Sequence, residues 1–591
     1  MKTQAITWAK RLSRSLGTMA LCLGSVAPTS AANPPVGSGT LPMPSYSFHT
    51  SHIETTPSGV TVRTGAEYVY TSIPEKIDVD LARQPKAAQW QAGDPSWEVP
   101  MRRGPPAIVD PRPVNKVASP IDPVWQQPDG AQLRAATSFA TPAYSFASLR
   151  SSTSPNDPNG EVGKDWFVIA INASGGTQYE FYDKSDPTIT SGPYTLGTLG
   201  LGVCAGSGDP VVLYDELAER WLFTEFSLGS NRLCVYVSQT DDPISGGFYA
   251  YTFQAPSFPD YPKYAVWGDA YYVGTNESAG SAVWALDRSA MLNGQPATMQ
   301  RFDELNIPGA FSFAMIPPVD LDGHAEPPPG SPGIFIRHYD DEAHLPIGIP
   351  NVPTEDYLEL FEFHVDFADE TKSRLTGPIR IAVSEFSSEL CGYTSYFCFP
   401  QKGSTSTLDP LREVVMNLPK YRNFGDHESI VGNFTVDVDG ADRGGIRWFE
   451  LRRAGGSWSL YQEGTWSPDS NNRFMGASAM DASGNIALGY SISSSSLYPG
   501  VRYTGRLESS PLGGMSEAEV TLVDGTGPSP GNRWGDYGSL SVDPEDGCTF
   551  WLVENYAKAG SSARQNRVGS FKFDSCGQAL DLQFKNGFEP P

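Results

Sequence analysis

From about Gly160 to Cys576 the chain alternates between runs of five to eight aromatic or β-branched residues and short clusters of Gly, Asp, Asn, Pro and Ser, and patterns of helical period are nearly absent. Apolar runs of that length, bounded by turn formers, read as β-strands. The predicted class is all-β.

The runs recur in pairs. Asp209–Asp215 leads to Trp221–Phe226, Lys263–Asp269 to Tyr271–Asn276, Ala314–Asp320 to Ile334–His338, Met475–Asp481 to Ile486–Tyr490, and Tyr537–Asp543 to Thr549–Glu554. In each pair an Asp closes the first strand six residues after its start, where a short carboxylate can cap the turn that folds the next strand back. Asp215 to Asp269, Asp269 to Asp320 and Asp481 to Asp543 span 54, 51 and 62 residues, about the length of a four-stranded unit in a radial repeat. Trp166–Asn172 with Tyr179–Lys184 supplies an earlier unit. Tyr421–Arg453 fits as the inner hairpin of another, with His427–Val436 and Ile446–Leu451 as its strands. The expected architecture is a β-propeller over residues 156–580, with seven blades favoured and six as the alternative, and with the Cys391–Cys398 segment in an insertion.

The ends of the chain have another character. Lys2, Lys10, Arg11 and Arg14 precede the apolar Leu16–Val26 segment and the small residues Thr29–Ala32, which reads as a secretory signal over residues 1–32, cleaved after Ala31 or Ala32. Residues 33–155 are rich in Pro, Ser, Ala and Gln and are expected to be extended and partly ordered, resting on the main domain through Trp90, Trp97 and Trp125. Residues 581–591 read as a short polar tail.

Removing the signal takes four positive charges from a formal charge of −25 and leaves −29. That balance argues against nucleic acid and anionic membrane surfaces as partners. No other apolar run is long enough to span a bilayer, so a secreted or periplasmic monomer is expected. Without Cys22 of the signal, six cysteines remain. Six allow 15 connectivities, and their clustering favours Cys204–Cys234, Cys391–Cys398 and Cys548–Cys576.

The motifs GDPVVLYD with RWLFTEF, YPKYAVWGDAYYVGTN, YRNFGDHES, GIRWFELR and RWGDYGSLSVDP resemble a widespread, largely uncharacterised group of exported bacterial β-propeller proteins. More remotely, the DP-x-V…D opening and the GDY near the end are similar to sialidase-like (BNR-repeat) propellers. The nearer resemblance implies architecture and export rather than an activity.

In a propeller the first strand of each blade starts near the central channel. On this register the starts carry Asp209, Lys263, His427 with Glu428, Arg473, and Arg533 with Asp536 and Tyr537. Converging charged groups in a concave site favour shifted pKa values and ligand binding. His427 is the candidate general base, Asp209, Asp536 and Glu428 the carboxylates a glycan hydrolase would use, and His427, Tyr537 and Arg533 the base and carboxylate-neutralising groups of a lyase. Lys263, Glu428 and Arg473 are candidates for holding ligand. The competing reading is that these polar starts only tie neighbouring blades together.

No metal site is predicted. Asp437-Val-Asp439-Gly-Ala-Asp442 lacks the spacing of a full Ca²⁺ loop and reads as an Asp/Gly turn, and His338–Glu342 with His344 reads as a solvated cluster. Ca²⁺ is the one cofactor the carboxylates leave open. The functional expectation is an exported propeller binding an extracellular glycan or protein ligand at its channel mouth, the alternative being a glycan-active hydrolase or polysaccharide lyase.

Overall fold

The structure is a computed structural model that describes residues 44–99, 121–126, 139 and 142–577, apart from 201, 205–207, 228, 279, 304, 306–314, 345–354 and 393–394. The expected signal and the terminal tail lie outside the described residues. Nearly all the ordered structure is β, in seven mainly antiparallel sheets. In chain order, their inner strands are Asn159–Val162 (sheet 1), Gly208–Asp215 (sheet 2), Asp260–Val266 (sheet 3), the irregular residues 315–321 (bridged to sheet 4, their last two joining sheet 5), Val415–Asn423 (sheet 5), Asn472–Met480 (sheet 6) and Ser539–Val542 (sheet 7).

The inner strand of sheet 4 pairs only briefly with its neighbour Gly333–Tyr339, through Val319 N to the Ile334 carbonyl at 2.8 Å and Ile336 N to the Pro317 carbonyl at 3.1 Å. Its end, Asp320–Leu321, runs parallel to Lys420 and Tyr421 of sheet 5. Each inner strand touches the next one in chain order, and Ser539–Val542 touches Asn159–Val162.

The sheets stack face to face, so their strands are covered on both sides. Trp221–Ser227, for example, is buried at every position. This explains why the runs are continuously apolar rather than alternating. Aromatic rings fill the space between sheets: Tyr179 lies 5.2 Å from Phe223 (sheets 1 and 2), Tyr272 5.7 Å from Phe363 (sheets 3 and 4), Tyr503 3.9 Å from Phe571 (sheets 6 and 7), and Phe167 5.1 Å from Trp551 (sheets 1 and 7). Ring pairs at such separations add to the area they bury.

At Gly274, where sheet 3 meets the strand beside sheet 4, only hydrogen fits. A Cβ on Gly274 of sheet 3 would stand 2.1 Å from the Ile316 carbonyl of sheet 4. Gly274→Ala is therefore expected to cost about 1–3 kcal/mol by displacing that inner strand, read as a lower urea midpoint. An unchanged midpoint would mean that the strand yields without cost.

The turn aspartates behave as their spacing suggests. Asp215 accepts from Ala218 N at 3.1 Å, Asp481 from Ser483 N at 2.8 Å and Asn485 N at 3.0 Å, and Asp543 from Glu545 N at 3.0 Å. Asp320 departs from the pattern and reaches between sheets, accepting from Val266 N and from Lys420 Nζ, both at 2.7 Å.

Several described stretches of the N-terminal region add strands at the sheet edges. Ser45–Phe48 and Tyr68–Ser72 extend sheet 3, His52–Thr55 and Thr61–Thr64 extend sheet 4, Glu75–Ile77 extends sheet 2, and Trp125–Gln126 adds to sheet 5. Tyr144–Ser151 is the fourth strand of sheet 7, so that sheet is built from both ends of the chain. Covering exposed edges satisfies backbone groups that would otherwise template aggregation. The three disulfides are Cys204–Cys234, Cys391–Cys398 and Cys548–Cys576, the last bracketing the strands Phe550–Tyr556 and Arg564–Phe571 of sheet 7. Such bonds fit a chain that folds in an oxidising compartment. Among the described residues no helix is long and apolar enough to cross a membrane.

Candidate functional site

Four inner strands begin with a bulge, at Gly208/Val211, Asp260/Lys263, Met416/Lys420 and Phe474/Ala477. Within each bulge a residue other than glycine takes a positive φ: Asp209 (52°), Tyr261 (52°), Asn417 (52°) and Met475 (50°). Asp157, just before sheet 1, has φ 41°. A left-handed non-glycine residue is strained by about 1 kcal/mol or more and persists only where surrounding contacts hold it. For Asp209 and Tyr261 those contacts are side-chain hydrogen bonds reaching between sheets.

The residues that meet come from sheets 7, 1, 2 and 3. Tyr537 donates its hydroxyl to Asp209 Oδ2 at 2.9 Å. Lys263 Nζ donates to the Asp536 carbonyl at 2.9 Å and lies 3.1 Å from the Tyr537 ring centre and 4.4 Å from that of Tyr261. Tyr261 donates to the same carbonyl at 3.1 Å. Asp157 Oδ1 accepts from Asp536 N at 3.3 Å, and its Oδ2 accepts from Asn172 Nδ2 at 2.8 Å. The Asn172 side-chain Oδ1 accepts from Asp209 N at 2.8 Å. Asp157, Asp209, Tyr261, Lys263, Asp536 and Tyr537 are only 1–6 % exposed.

Burial dominates the electrostatics. It raises the Asp209 carboxyl to about 6, helped by the charge of Asp536, and raises Glu554 to about 8. Asp157 is raised well above the usual carboxylate range, by burial first and then by Asp536. Loss of hydration pulls Lys263 down to about 7, although Asp536, Asp157 and Asp209 oppose it. Burial also raises the Tyr537 phenol, keeping it a hydrogen-bond donor. Asp209, Lys263 and Glu554 thus lie near neutrality, but the cluster is buried. Phe399, Leu408 and Leu411, which follow the Cys391–Cys398 loop, share one apolar cluster with Tyr261, Trp534 and Tyr537. That segment is stitched down by Asp409 N to the Asn532 carbonyl at 3.0 Å and Asn532 Nδ2 to the Thr407 carbonyl at 2.8 Å.

Of the residues singled out from the sequence, Asp209, Lys263, Asp536 and Tyr537 are brought together. Arg533 stands beside them, its guanidinium donating to the Val99 carbonyl at 2.5 Å. His427, Glu428 and Arg473 do not join the cluster. The inner strand of sheet 5 is Val415–Asn423, and His427 follows it, in the turn at the far end from the bulge. The His427 ring stacks on Phe424 with centres 4.9 Å apart, and Nδ1 pairs with the exposed Asp426 carboxylate at 2.7 Å. The expected register is thus one strand late: VMNLPKYRN, with its Pro, Lys and Arg, does not look like a buried strand, whereas ESIVGNFTVD does. Glu428 pairs with Arg453 at 2.6 Å and accepts from the Tyr421 hydroxyl at 2.7 Å. Arg473 is locked against Glu519 at 2.7 Å and Asp469 at 2.8 Å.

Asp157, Tyr261, Asn172 and Glu554 were not foreseen. A signal for two of them exists: Pro158, Pro210 and Pro262 recur at intervals of 52 residues, each just after a positive-φ residue. A proline, having no N–H, suits the point where a bulge interrupts the ladder.

A second acidic group lies between sheets 4 and 5, where ligand atoms of Asp340, Asp341, Glu342 and Asp356 fall within 4.8 Å of one another. Its carboxylates fix loops: Asp340 accepts from Ser388 N at 2.6 Å and Ala343 N at 3.0 Å, and Asp356 accepts from Phe386 N at 2.7 Å and Asp341 N at 3.0 Å. Burial, then the charge of Asp340, raises Asp356 to about 9. The cluster read as solvated is instead buried at His338 and His344, with His338 stacked 4.7 Å from Phe434 and His344 Nε2 at 3.3 Å from Glu413. Asp437 accepts from Asp439, Gly440 and Asp442 N–H groups at 3.0–3.2 Å, as an ordinary turn does.

The fold and cluster define an all-β protein of seven sheets with a sealed ionisable centre. No protein-family model and no curated protein matches the sequence. Among solved structures, the chain is similar to a polysaccharide lyase of family PL25, an ulvan lyase bound to -[GlcA(1-4)Rha3S]-, at 13% identity and TM-score 0.36, covering 70% of this chain and 94% of that one. A putative 6-phosphogluconolactonase from Bacteroides fragilis NCTC 9343 matches at 10% identity and TM-score 0.36, over 66% and 88% of the two chains. The hydrazine synthase of Kuenenia stuttgartiensis matches at 13% identity and TM-score 0.33, over 68% and 92%.

Proposed function

We propose that the chain is exported, folds as a seven-bladed β-propeller, and binds an extracellular glycan or protein ligand without turning it over. The observation that carries this reading is the sealed centre. The converging groups are buried and hydrogen-bonded across four sheets, largely through main-chain atoms, an arrangement that holds sheets together and leaves little room for a substrate. The competing reading, a glycan-active hydrolase or lyase, is favoured by Lys263 near 7 and Asp209 near 6 beside the Tyr537 hydroxyl.

The test is to incubate the purified protein with acidic and neutral polysaccharides, following retention by affinity electrophoresis, reducing ends, and the ultraviolet absorbance of unsaturated products. Retention without products is expected. Product formation that disappears in both Asp209→Asn and Tyr537→Phe would instead establish catalysis at the inner strands.

A further inference from the structure

On the outer wall between sheets 1 and 7, away from the sealed centre, the surface opens into a pocket of about 260 Å³. One side is a single face of the strand Gly176–Asp183, which presents Gln178, Glu180 and Tyr182 at alternate positions. The facing side comes from the edge strand Tyr144–Ser151, with Tyr556 and Gln565 of sheet 7 and Lys558 of the connection between their strands, and Trp90 of the N-terminal segment completes the lining.

The pocket is polar and prearranged. Gln178, Glu180, Tyr182 and Gln565 are only 8, 7, 5 and 4 % exposed. Glu180 is held by the Tyr182 hydroxyl at 2.5 Å, Gln178 by the Ala88 carbonyl at 3.2 Å, and Gln565 by the Ala563 carbonyl at 3.3 Å. The Trp90 indole N–H and the Ser148 hydroxyl are buried with no hydrogen-bond partner. Arg150 lies 5.4 Å from the Trp90 ring centre, and both Arg150 and Lys558 are exposed.

We propose that this pocket binds one terminal ring of an acidic saccharide, with Trp90 and Tyr182 against the ring, Glu180, Gln178 and Gln565 toward its hydroxyls, and Arg150 and Lys558 toward a carboxylate or sulfate. Planar amides and carboxylates suit hydroxyl groups, which both donate and accept, and a guanidinium suits a two-oxygen anion. The volume is below that of pockets for larger ligands, which limits the occupant to about one ring. The chain's net charge of −25 does not forbid an anion here, because salt screens distant charges beyond about 8–10 Å. Locally, Arg150 and Lys558 stand against the one carboxyl of Glu180, which burial shifts toward its neutral form. The proposal rests on the binding reading given above and adds its place and ligand class.

Titration calorimetry with methyl glucuronide and methyl glucoside tests it on the full exported chain. Saturable glucuronide binding is expected, weakened about tenfold or more by Arg150→Ala, with glucoside affinity changed less than about twofold. Trp90→Ala is expected to remove binding of both sugars, while an unchanged thermal midpoint shows that the variant is folded. No glucuronide binding by the wild type, or equal binding by wild type and folded Trp90→Ala, overturns the proposal. Polysaccharide retention that survives Trp90→Ala combined with Arg150→Ala also overturns it, but leaves the broader binding reading standing. Loss of retention in that variant supports it.

Discussion

Arg447→Ala is expected to lower the unfolding free energy by about 3–5 kcal/mol, measured by urea denaturation. Arg447 is 1 % exposed, and its guanidinium serves two carboxylates at once. Nη1 lies 3.1 and 3.2 Å from the oxygens of Asp122, while Nη2 donates to Glu463 at 2.6 Å and to the Ser384 carbonyl at 2.8 Å. Asp122 also accepts from the Thr465 hydroxyl at 2.6 Å, beside the point where Trp125–Gln126 runs parallel to Thr465–Trp466. The arginine therefore anchors the N-terminal thread to sheet 5. Removing it leaves the buried Asp122 and the partly buried Glu463 without their cation, and that desolvated charge, rather than the lost attraction alone, sets the magnitude. Adding Asp122→Asn to Arg447→Ala should cost less than the two single changes summed, since the second removes a charge the first left unpaired. Strict additivity would show that the pair does not act as a unit.

The second large effect is a loss of stability as pH rises. Burial raises Glu225 and Glu554 to about 8, Glu216 to about 8, Glu161 to about 7 and Asp481 to about 6. A carboxyl whose folded pKa lies above its unfolded value binds its proton more tightly in the folded chain. Its contribution is complete below the unfolded value and is lost as pH rises through the folded one. The window for these groups runs from about 4 to about 8. Each can contribute up to about 1.4 kcal/mol per pH unit within its own window. Lys263, pulled down to about 7 from 10.5, acts in the opposite sense, its penalty easing as pH rises above 7. The urea midpoint is therefore expected to be lower at about pH 8 than at about pH 5. Glu225→Gln isolates one group: it should stabilise the chain on the order of 2–4 kcal/mol at about pH 8 and change little at about pH 4. A Glu225→Gln effect independent of pH would show that this carboxyl does not titrate as its burial implies.

The strand pair Trp221–Phe226 after Asp209–Asp215 was legible because composition and turn chemistry are local, written within about ten residues. The disulfide Cys548–Cys576 follows from cysteines that bracket one hairpin. By contrast, the misplaced strand at His427 shows where local reading ends: two neighbouring runs, Val415–Asn423 and Glu428–Asp437, both pair in one sheet, and only packing decides which of them is innermost. The N-terminal strands are similarly invisible alone, because Trp125–Gln126 or Glu75–Ile77 has too few apolar residues to form a sheet without an edge to join.

By itself, then, the sequence determined the all-β class, most of the strand pairs, the aspartate-capped turns and the cysteine partners, since each depends on residues close together in the chain. Only the tertiary structure decided which polar residues meet. Tyr537 reaches Asp209 across 328 residues and Lys263 reaches Asp536 across 273, distances over which the pairing depends on how successive sheets are stacked. The burial that moves their pKa values comes from that stacking and from the segment packed over it, and no residue's own identity carries either.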